Sequence, residues 1–256
     1  FPQQLDEFYW STGVKLIGGY GLTETAPMVA MRPFACPVFR TIGTSIRNVQ
    51  VRIVDPNNGQ VLGRCQQGVL QVKGPTVMKG YYKRPDLTAK AINPEGWFDT
   101  GDLAIMTIHD DIQIKGRIKD TIVLSNGENL EPVPIEAKLS ESRLISRAVV
   151  VGQDQKYLGA LILVDMDELK AFVEENGIVY DSYEDLIESE QIIRTYKTEI
   201  DRLINPKTGF KIYEQINKFC LLTKPFEIGV ELSAKQEVMR FKVSQLYKEE
   251  IHKLFE

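Results

Sequence analysis

Three glycines fall within four positions directly after an apolar run, and this feature restricts the fold of the chain most strongly. Residues 14–17 (Val-Lys-Leu-Ile) predict a short β-strand, and Gly18, Gly19 and Gly21 follow at once. Because glycine has no Cβ atom, such a run lets the backbone turn sharply and approach a ligand closely. An ordinary glycine-rich turn is the alternative interpretation. No partner strand precedes residues 14–17, so we expect the chain to be the C-terminal portion of a longer protein.

Composition excludes several classes of protein. The 256 residues are 43% hydrophobic and 26% charged with a net charge of −4, which is typical of a globular protein and unlike a nucleic-acid binder. Three dispersed cysteines and two histidines provide neither a disulfide framework nor a histidine-rich zinc site. No apolar run approaches the roughly 20 residues that span a bilayer. We therefore expect a soluble, cytoplasmic protein.

Periodicity predicts a β-rich part followed by a mixed α+β part. Turn residues separate short β-branched segments at 49–54 and 69–72, which is typical of a small antiparallel barrel or sandwich, and residues 112–124 resemble a hairpin. Beyond Lys119 the pattern alternates, with helices predicted at 134–141, 167–175, 182–203 and 240–255 and strands at 148–151, 160–164 and 218–222. The overall prediction is an α+β fold.

Three polar segments could bind a nucleotide. Residues 20–24 place an aromatic ring, a hydroxyl and a carboxylate on the glycine turn, where they could stack on a base, bind a phosphate oxygen and hold a hard cation. Asp102 could chelate a vicinal diol, although Asp99 and Asp102 around Gly101 also fit a tight turn in which Asp99 bonds its own backbone. A basic cluster at 115–120 could contact phosphate or ribose, or could be a solvated linker.

Four collinear segments carry a resemblance to one family. They are residues 20–24 (Tyr-Gly-Leu-Thr-Glu), 74–82 (Gly-Pro-Thr-Val-Met-Lys-Gly-Tyr-Tyr), 97–102 (Trp-Phe-Asp-Thr-Gly-Asp) and 116–127, which begins Gly-Arg-Ile-Lys-Asp and ends Asn-Gly. In this order they resemble the motifs of the adenylate-forming superfamily, which includes acyl-CoA synthetases, luciferases and adenylation domains of peptide synthetases. Residues 124–132 and the helical segment at 166–205 resemble long-chain fatty acyl-CoA synthetases in particular.

The resemblance implies roles for the glycine-rich segment. Gly19, Tyr20 and Gly21 would belong to the nucleotide site, with Tyr20 stacked on adenine. Thr23 would bond the α-phosphate and act in catalysis. Glu24 would hold Mg²⁺ and also act in catalysis.

The resemblance also implies roles for four later residues. Asp102 would bind both ribose hydroxyls and Arg117 would contact the ribose. Lys119 would be the hinge about which a C-terminal domain rotates between two half-reactions. Gly127 would line the channel for the pantetheine arm of CoA.

One segment departs from the family pattern. The adenylation lysine of the family precedes an arginine by three residues, in a Leu-Thr-Pro-Thr-x-Lys-x-x-Arg setting. When Leu232 and Arg240 are aligned with that motif, Glu237 occupies the lysine position, and Lys235 lies two residues earlier. Lys235 would be catalytic if the loop re-registers, and otherwise a solvated lysine. The family's phosphate loop and most of its fatty-acyl pocket have no counterpart in this sequence.

The resemblance therefore implies the C-terminal portion of an ATP-dependent long-chain fatty acyl-CoA synthetase, inactive on its own. Residues 1–39 would end a large nucleotide-binding subdomain, residues 40–118 would form a β-barrel subdomain, and residues 119–256 would form a mobile lid. Its ligands would be fatty acid, ATP, AMP, Mg²⁺ and CoA, with peripheral membrane association open. The alternatives are a non-catalytic adenylate-binding relative and an acyl-AMP ligase that loads a carrier protein.

Overall fold

The computed structural model describes residues 3–256, which fall into two compact units. The first unit ends at Lys119 and the second begins at Asp120. Each unit has its own hydrophobic core. Both units combine helices with β-sheet, so the predicted α+β class is confirmed.

The first unit is built on two small β-sheets. Its elements are α1 (Gln3–Ser11), β1 (Gly19–Tyr20), β2 (Ala30–Met31), β3 (Thr44–Ser45), β4 (Gln50–Val54), β5 (Gln67–Lys73), α2 (Pro85–Ala91), β6 (Phe98–Met106) and β7 (Ile112–Arg117). Strands β1–β3 form one antiparallel sheet and β4–β7 a second, each in sequence order. Strands β4 and β7 lie at the two ends of this strand order, and the backbone of residues 42 and 43 makes two 2.8 Å hydrogen bonds with Ile112 at the start of β7, so the predicted β-barrel remains a prediction.

Two local predictions for the first unit are wrong. Residues 14–17 form no strand, because they pair with no other strand among the residues described, and the side chains of Val14 and Ile17 are about half exposed. Residues 112–124 do not form a hairpin either. β7 pairs with β6, and a short 3-10 helix (Ile118–Asp120) separates it from the strands that follow.

The second unit packs helices against a three-stranded sheet. Its elements are β8 (Ile122–Val123), β9 (Asn129–Leu130), α3 (Pro132–Leu139), β10 (Ile145–Val151), β11 (Leu158–Val164), α4 (Met166–Glu175), α5 (Tyr183–Glu188), α6 (Glu190–Leu203), β12 (Ile216–Leu222), α7 (Arg240–Leu246) and α8 (Lys248–Phe255). The central strand β11 pairs antiparallel with β10 and parallel with β12. Every residue of β11 is buried, as its nearly continuous apolar sequence predicts.

Helix α6 shows how the helices of this unit attach to the core. Its buried residues Ile192, Tyr196 and Ile200 recur every four positions, so they lie on one face. The hydroxyl of Tyr196 donates to the buried carbonyl of Leu144 at 2.9 Å, which satisfies both groups. None of the helices described between Gln3 and Phe255 is long and apolar enough to cross a bilayer.

Candidate active site

The glycine-rich segment packs against its own chain. A Cβ atom on Gly21 would lie 1.3 Å from the carbonyl oxygen of Pro27, so no other residue fits this position without moving the backbone. A Cβ atom on Gly19 would lie 3.3 Å from the sulfur of Met28, a tight contact. These glycines therefore bring their backbone close to residues 27 and 28 of the same chain. This close approach holds Tyr20 in β1, which pairs with β2.

Tyr20, Asp102 and Arg117 meet in one cluster of the first unit. The Tyr20 hydroxyl donates to Asp102 Oδ2, and Arg117 Nε donates to Asp102 Oδ1 at 3.1 Å. Asp102 and Arg117 are cross-strand partners on β6 and β7, which explains their contact. Burial and the bond to Asp102 raise the pKa of the Tyr20 phenol above its usual range, so the phenol stays neutral and donates a hydrogen bond to Asp102.

A bulge in β6 turns Asp102 toward Tyr20. Asp99 Oδ1 accepts from the Gly101 N–H at 2.9 Å, and Gly101 has a positive φ of 69°. The Thr100 hydroxyl donates to the carbonyl of Leu70 at 2.7 Å and accepts from the Asp102 N–H at 3.1 Å. Asp99 thus makes the turn bond that its sequence predicts, while Asp102 is 4% exposed and holds two side chains.

Thr23 and Glu24 lie in a one-turn 3-10 helix, Thr23–Thr25, directly after the glycines. Thr25 is buried and its hydroxyl bonds both backbone groups of Leu22, so it closes the turn. Thr23 is exposed. The carboxylate of Glu24 accepts from the Tyr81 hydroxyl at 3.0 Å. Sequence reasoning assigned no role to Tyr81, although it lies in the 74–82 segment that carries the family resemblance.

Lys119 and Gly127 lie at local backbone features. Lys119 is the last residue of the first unit and lies in the 3-10 helix Ile118–Asp120. Gly127 closes the β8–β9 turn, where its N–H donates to the carbonyl of Leu124 at 2.8 Å. Its φ is 85° and no atom lies within 4 Å of a Cβ built on it, so backbone conformation by itself accounts for glycine here.

Lys235 and Glu237 lie on a short hairpin whose register is fixed by backbone hydrogen bonds. The Ser233 N–H donates to the Glu237 carbonyl, the Gln236 N–H donates to the Ser233 carbonyl, and Leu232 bridges Val238, with both hydrogen bonds 2.8 Å long. Lys235 lies at the tip and Glu237 on the returning arm, and both side chains are exposed. A two-residue shift would break all three pairings.

No group of three or more histidine, cysteine or acidic residues is positioned to hold a metal ion within the part of the chain that the structure describes. Glu24 is therefore considered as a single carboxylate. Mg²⁺ is usually held by one or two carboxylates together with substrate phosphates and water, and an anchored carboxylate beside a candidate nucleotide site fits that pattern.

Comparison with known proteins places the chain in a family. The model of the AMP-binding enzyme family matches residues 1–82, and the model of the AMP-binding enzyme C-terminal domain matches residues 119–256. The second match covers more than half of the chain. The chain therefore belongs to the AMP-binding enzyme family, the adenylate-forming superfamily that the motifs resemble.

Individual relatives agree with this assignment. The chain is 36% identical to the long-chain-fatty-acid–[acyl-carrier-protein] ligase AEE15, chloroplastic, of Arabidopsis thaliana, with 99% of the chain and 34% of the relative aligned. It is 31% identical to the long-chain-fatty-acid–CoA ligase FadD15 of Mycobacterium bovis, covering 98% and 40%. Among solved structures, the A domain of a carboxylic acid reductase from Segniliparus rugosus, in complex with AMP and a co-purified carboxylic acid, matches with a TM-score of 0.78 at 26% identity, covering 98% and 37%. The chain thus spans 34–40% of the length of these three proteins.

Proposed function

We propose that this chain is the C-terminal part of an ATP-dependent ligase that activates long-chain fatty acids as acyl adenylates and transfers them to CoA. The observation that carries the proposal is the Tyr20–Asp102–Arg117 cluster. A carboxylate offers about four lone pairs, so the bonds from Tyr20 and Arg117 leave acceptor capacity for ribose hydroxyls. Relatives named as fatty-acid ligases support the substrate class.

In the proposed reaction, the fatty-acid carboxylate attacks the α-phosphorus of ATP and the bond to pyrophosphate breaks. A thiolate then attacks the acyl carbonyl, and AMP leaves. Tyr20 stacks on adenine, Asp102 and Arg117 fix the ribose, and the Thr23 hydroxyl donates to an α-phosphate oxygen. Glu24 would hold Mg²⁺, which would supply positive charge to the phosphates. Lys119 is the proposed hinge that lets residues 120–256 serve both half-reactions.

The acceptor thiol separates two versions of this proposal. We propose CoA because the segment at residues 124–132 resembles that of acyl-CoA synthetases, a resemblance that implies that Gly127 lines the channel for the pantetheine arm. The relative named as an acyl-carrier-protein ligase favours a carrier protein instead. Incubating the complete protein with palmitate, ATP and either CoA or holo-acyl-carrier protein separates the two. Acylation of the carrier protein without acyl-CoA would reject CoA as acceptor.

Glu237 favours a third candidate, a non-catalytic relative, because a carboxylate at this position repels the ATP phosphates. The fixed register of the hairpin is evidence against Lys235 moving into that position. If Glu237 replaces the family lysine, the complete protein exchanges pyrophosphate slowly, Glu237→Lys raises the exchange rate, and Lys235→Ala changes nothing. Loss of exchange in Lys235→Ala would assign catalysis to Lys235, and rapid exchange unaffected by either substitution would remove this hairpin from the chemistry.

We also propose that the 256-residue chain by itself releases no AMP in a fatty-acid-dependent reaction, since it contains no counterpart of the phosphate loop. Sustained AMP release by the purified chain would contradict the assignment as a partial ligase.

A further inference from the structure

Glu24 is held by the segment around Tyr81 through both its backbone and its side chain. The Met78 N–H donates to the Glu24 carbonyl at 2.8 Å, and the Tyr81 hydroxyl donates to Glu24 Oε1 at 3.0 Å. A glutamate side chain has three rotatable bonds, and fixing one carboxylate oxygen removes most of that freedom. The other oxygen keeps its lone pairs for a ligand.

Helix α2 in turn orients Tyr81. The hydroxyl of Thr88 accepts from the Tyr81 N–H at 2.9 Å and donates to the Arg84 carbonyl at 2.9 Å. Gly80 has a φ of 149°, and a Cβ atom there would lie 2.7 Å from the Thr88 side chain. Glycine at position 80 therefore permits the close approach that lets Thr88 fix the Tyr81 backbone.

The Tyr81 phenol is an uncharged hydrogen-bond donor. A phenol has an ordinary pKa of about 10, so it is protonated at neutral pH and can donate its hydrogen bond to Glu24. A neutral donor can orient a carboxylate without cancelling its charge, whereas a lysine or arginine at the same place would compete with a cation. The adjacent Tyr82 is largely exposed and packs under Lys83.

We propose that Tyr81 is a positioning residue that presents the Glu24 carboxylate to nucleotide-bound Mg²⁺, with Thr88 on α2 holding Tyr81 in place. This inference rests on the proposed function, in which Glu24 contacts the metal of the ATP complex. Residues that orient a metal ligand typically contribute 10- to 100-fold to metal affinity. Because Tyr81 is 36% exposed, we expect an effect of about tenfold, at the lower end of that range.

The test measures binding rather than turnover. Isothermal titration calorimetry of the complete protein gives the dissociation constant for ATP in excess Mg²⁺ and again in EDTA. The constant in EDTA divided by the constant in Mg²⁺ isolates the contribution of the metal to ATP affinity. Tyr81→Phe is expected to reduce this ratio about tenfold and to leave the constant in EDTA unchanged. Tyr82→Phe, the matched control, is expected to leave both constants unchanged.

Three further substitutions make the outcomes distinct. Thr88→Val is expected to reduce the ratio in the same direction as Tyr81→Phe, while Thr88→Ser, which keeps the hydroxyl, is expected to preserve it. A normal ratio in Tyr81→Phe together with a reduced ratio in Glu24→Gln would overturn the role of Tyr81 and leave the proposed function intact. A wild-type ratio near one, or no effect of Glu24→Gln, would instead overturn the proposed metal site and the inference with it.

Discussion

Asp102 and Glu131 are carboxylates of the two different units, and their surroundings differ. Both oxygens of Asp102 accept hydrogen bonds, one from Tyr20 and the other from Arg117. In Glu131, Oε1 accepts from the Thr121 hydroxyl at 2.8 Å, while Oε2 is buried with no hydrogen-bond partner among the described residues. Burial accordingly raises the pKa of the Glu131 carboxyl.

Under the proposed function, this difference separates a carboxylate prepared to bind ribose from one whose unpaired oxygen reduces stability. A buried carboxylate with a donor on each oxygen keeps its position, so its remaining acceptor sites are already oriented for a ligand. A buried oxygen without a donor costs roughly 1–3 kcal/mol, which the fold tolerates at Glu131. Burial of a carboxylate is therefore weak evidence of function, and the donors around it are the informative part.

The largest effect on stability is expected at Gly21, because the backbone there holds Tyr20 beside Asp102. Gly21→Ala places a Cβ atom against the Pro27 carbonyl, so β1 must move and withdraw Tyr20 from Asp102. We expect the first unit to lose about 3 kcal/mol or more of unfolding free energy. Both tryptophans, Trp10 and Trp97, lie in this unit, so urea unfolding followed by tryptophan fluorescence measures the change.

The control for this substitution lies three residues earlier. In Gly18→Ala the new methyl group would have no neighbour closer than 3.9 Å, and we expect nearly unchanged stability. Equal stability of the two variants would show that the close approach at Gly21 is not required.

Lys119→Pro tests whether the two units that carry these carboxylates must move relative to each other. Proline fixes φ near −65° and removes a backbone donor, so a hinge at this residue would lock in one conformation. We expect one half-reaction of the complete protein to fall by about 100-fold and the other to persist. Pyrophosphate exchange reports adenylation, and thioester formation from pre-made acyl adenylate reports transfer. Parental rates in both assays would exclude Lys119 as the hinge.

Asp102→Ala tests the prepared carboxylate directly. Hydrogen bonds to a charged group contribute about 1.5–3 kcal/mol each, so we expect the affinity of the complete protein for ATP to fall tenfold or more. Asp167→Ala is the control, because Asp167 is an exposed carboxylate of the second unit that takes no part in the β6 bulge. Equal ATP affinity of Asp102→Ala and the wild type in titration calorimetry would assign Asp102 a structural role.

The smallest effect is expected at Glu131, where the substitution should increase stability instead of lowering stability, rate or affinity. Because the pKa of Glu131 is raised in the folded state, the native protein binds this proton more tightly than the unfolded chain, and stability falls as the pH rises through that window. Glu131→Gln removes the titration, and we expect a gain of about 1 kcal/mol or less at pH 7 that vanishes at low pH.

Hydrogen exchange of the β11 amides, followed by mass spectrometry between pH 4 and pH 7.5 with correction for intrinsic rates, measures this gain within the second unit. The exposed Glu128 provides the matched control, Glu128→Gln. Lower protection of the β11 amides at pH 7 in Glu131→Gln, or an equal gain in protection in both variants, would contradict the claim that the unpaired oxygen of Glu131 reduces stability.

Sequence periodicity was sufficient for elements whose pattern is local. The strand predicted at 160–164 and the helix predicted at 167–175 agree with β11 and α4 to within two residues at each end. The predicted helix at 182–203 is instead two helices, because Ser189 caps the second one by accepting from the Ile192 N–H. The helix predicted at 240–255 likewise divides at Tyr247.

Contacts between distant residues could not be obtained from local patterns. The strand at residues 14–17 was predicted from its apolar residues, but a strand also needs a partner, which periodicity does not identify. The bond between Glu24 and Tyr81 joins residues 57 positions apart, and helix α2, which orients Tyr81, was not predicted at all. The roles assigned through family resemblance all remain predictions, those of Lys119, Gly127 and Lys235 as well as those of the residues around Tyr20 and Asp102.

The hairpin that carries Lys235 and Glu237 has a consequence for how such a protein changes over generations. Its backbone is fixed by main-chain hydrogen bonds, so we expect the exposed side chains of Lys235 and Glu237 not to be needed for folding. A single codon change can therefore reverse the charge presented there while the fold persists. If this hairpin takes part in adenylation as proposed, one substitution there could remove or restore that step without loss of the fold.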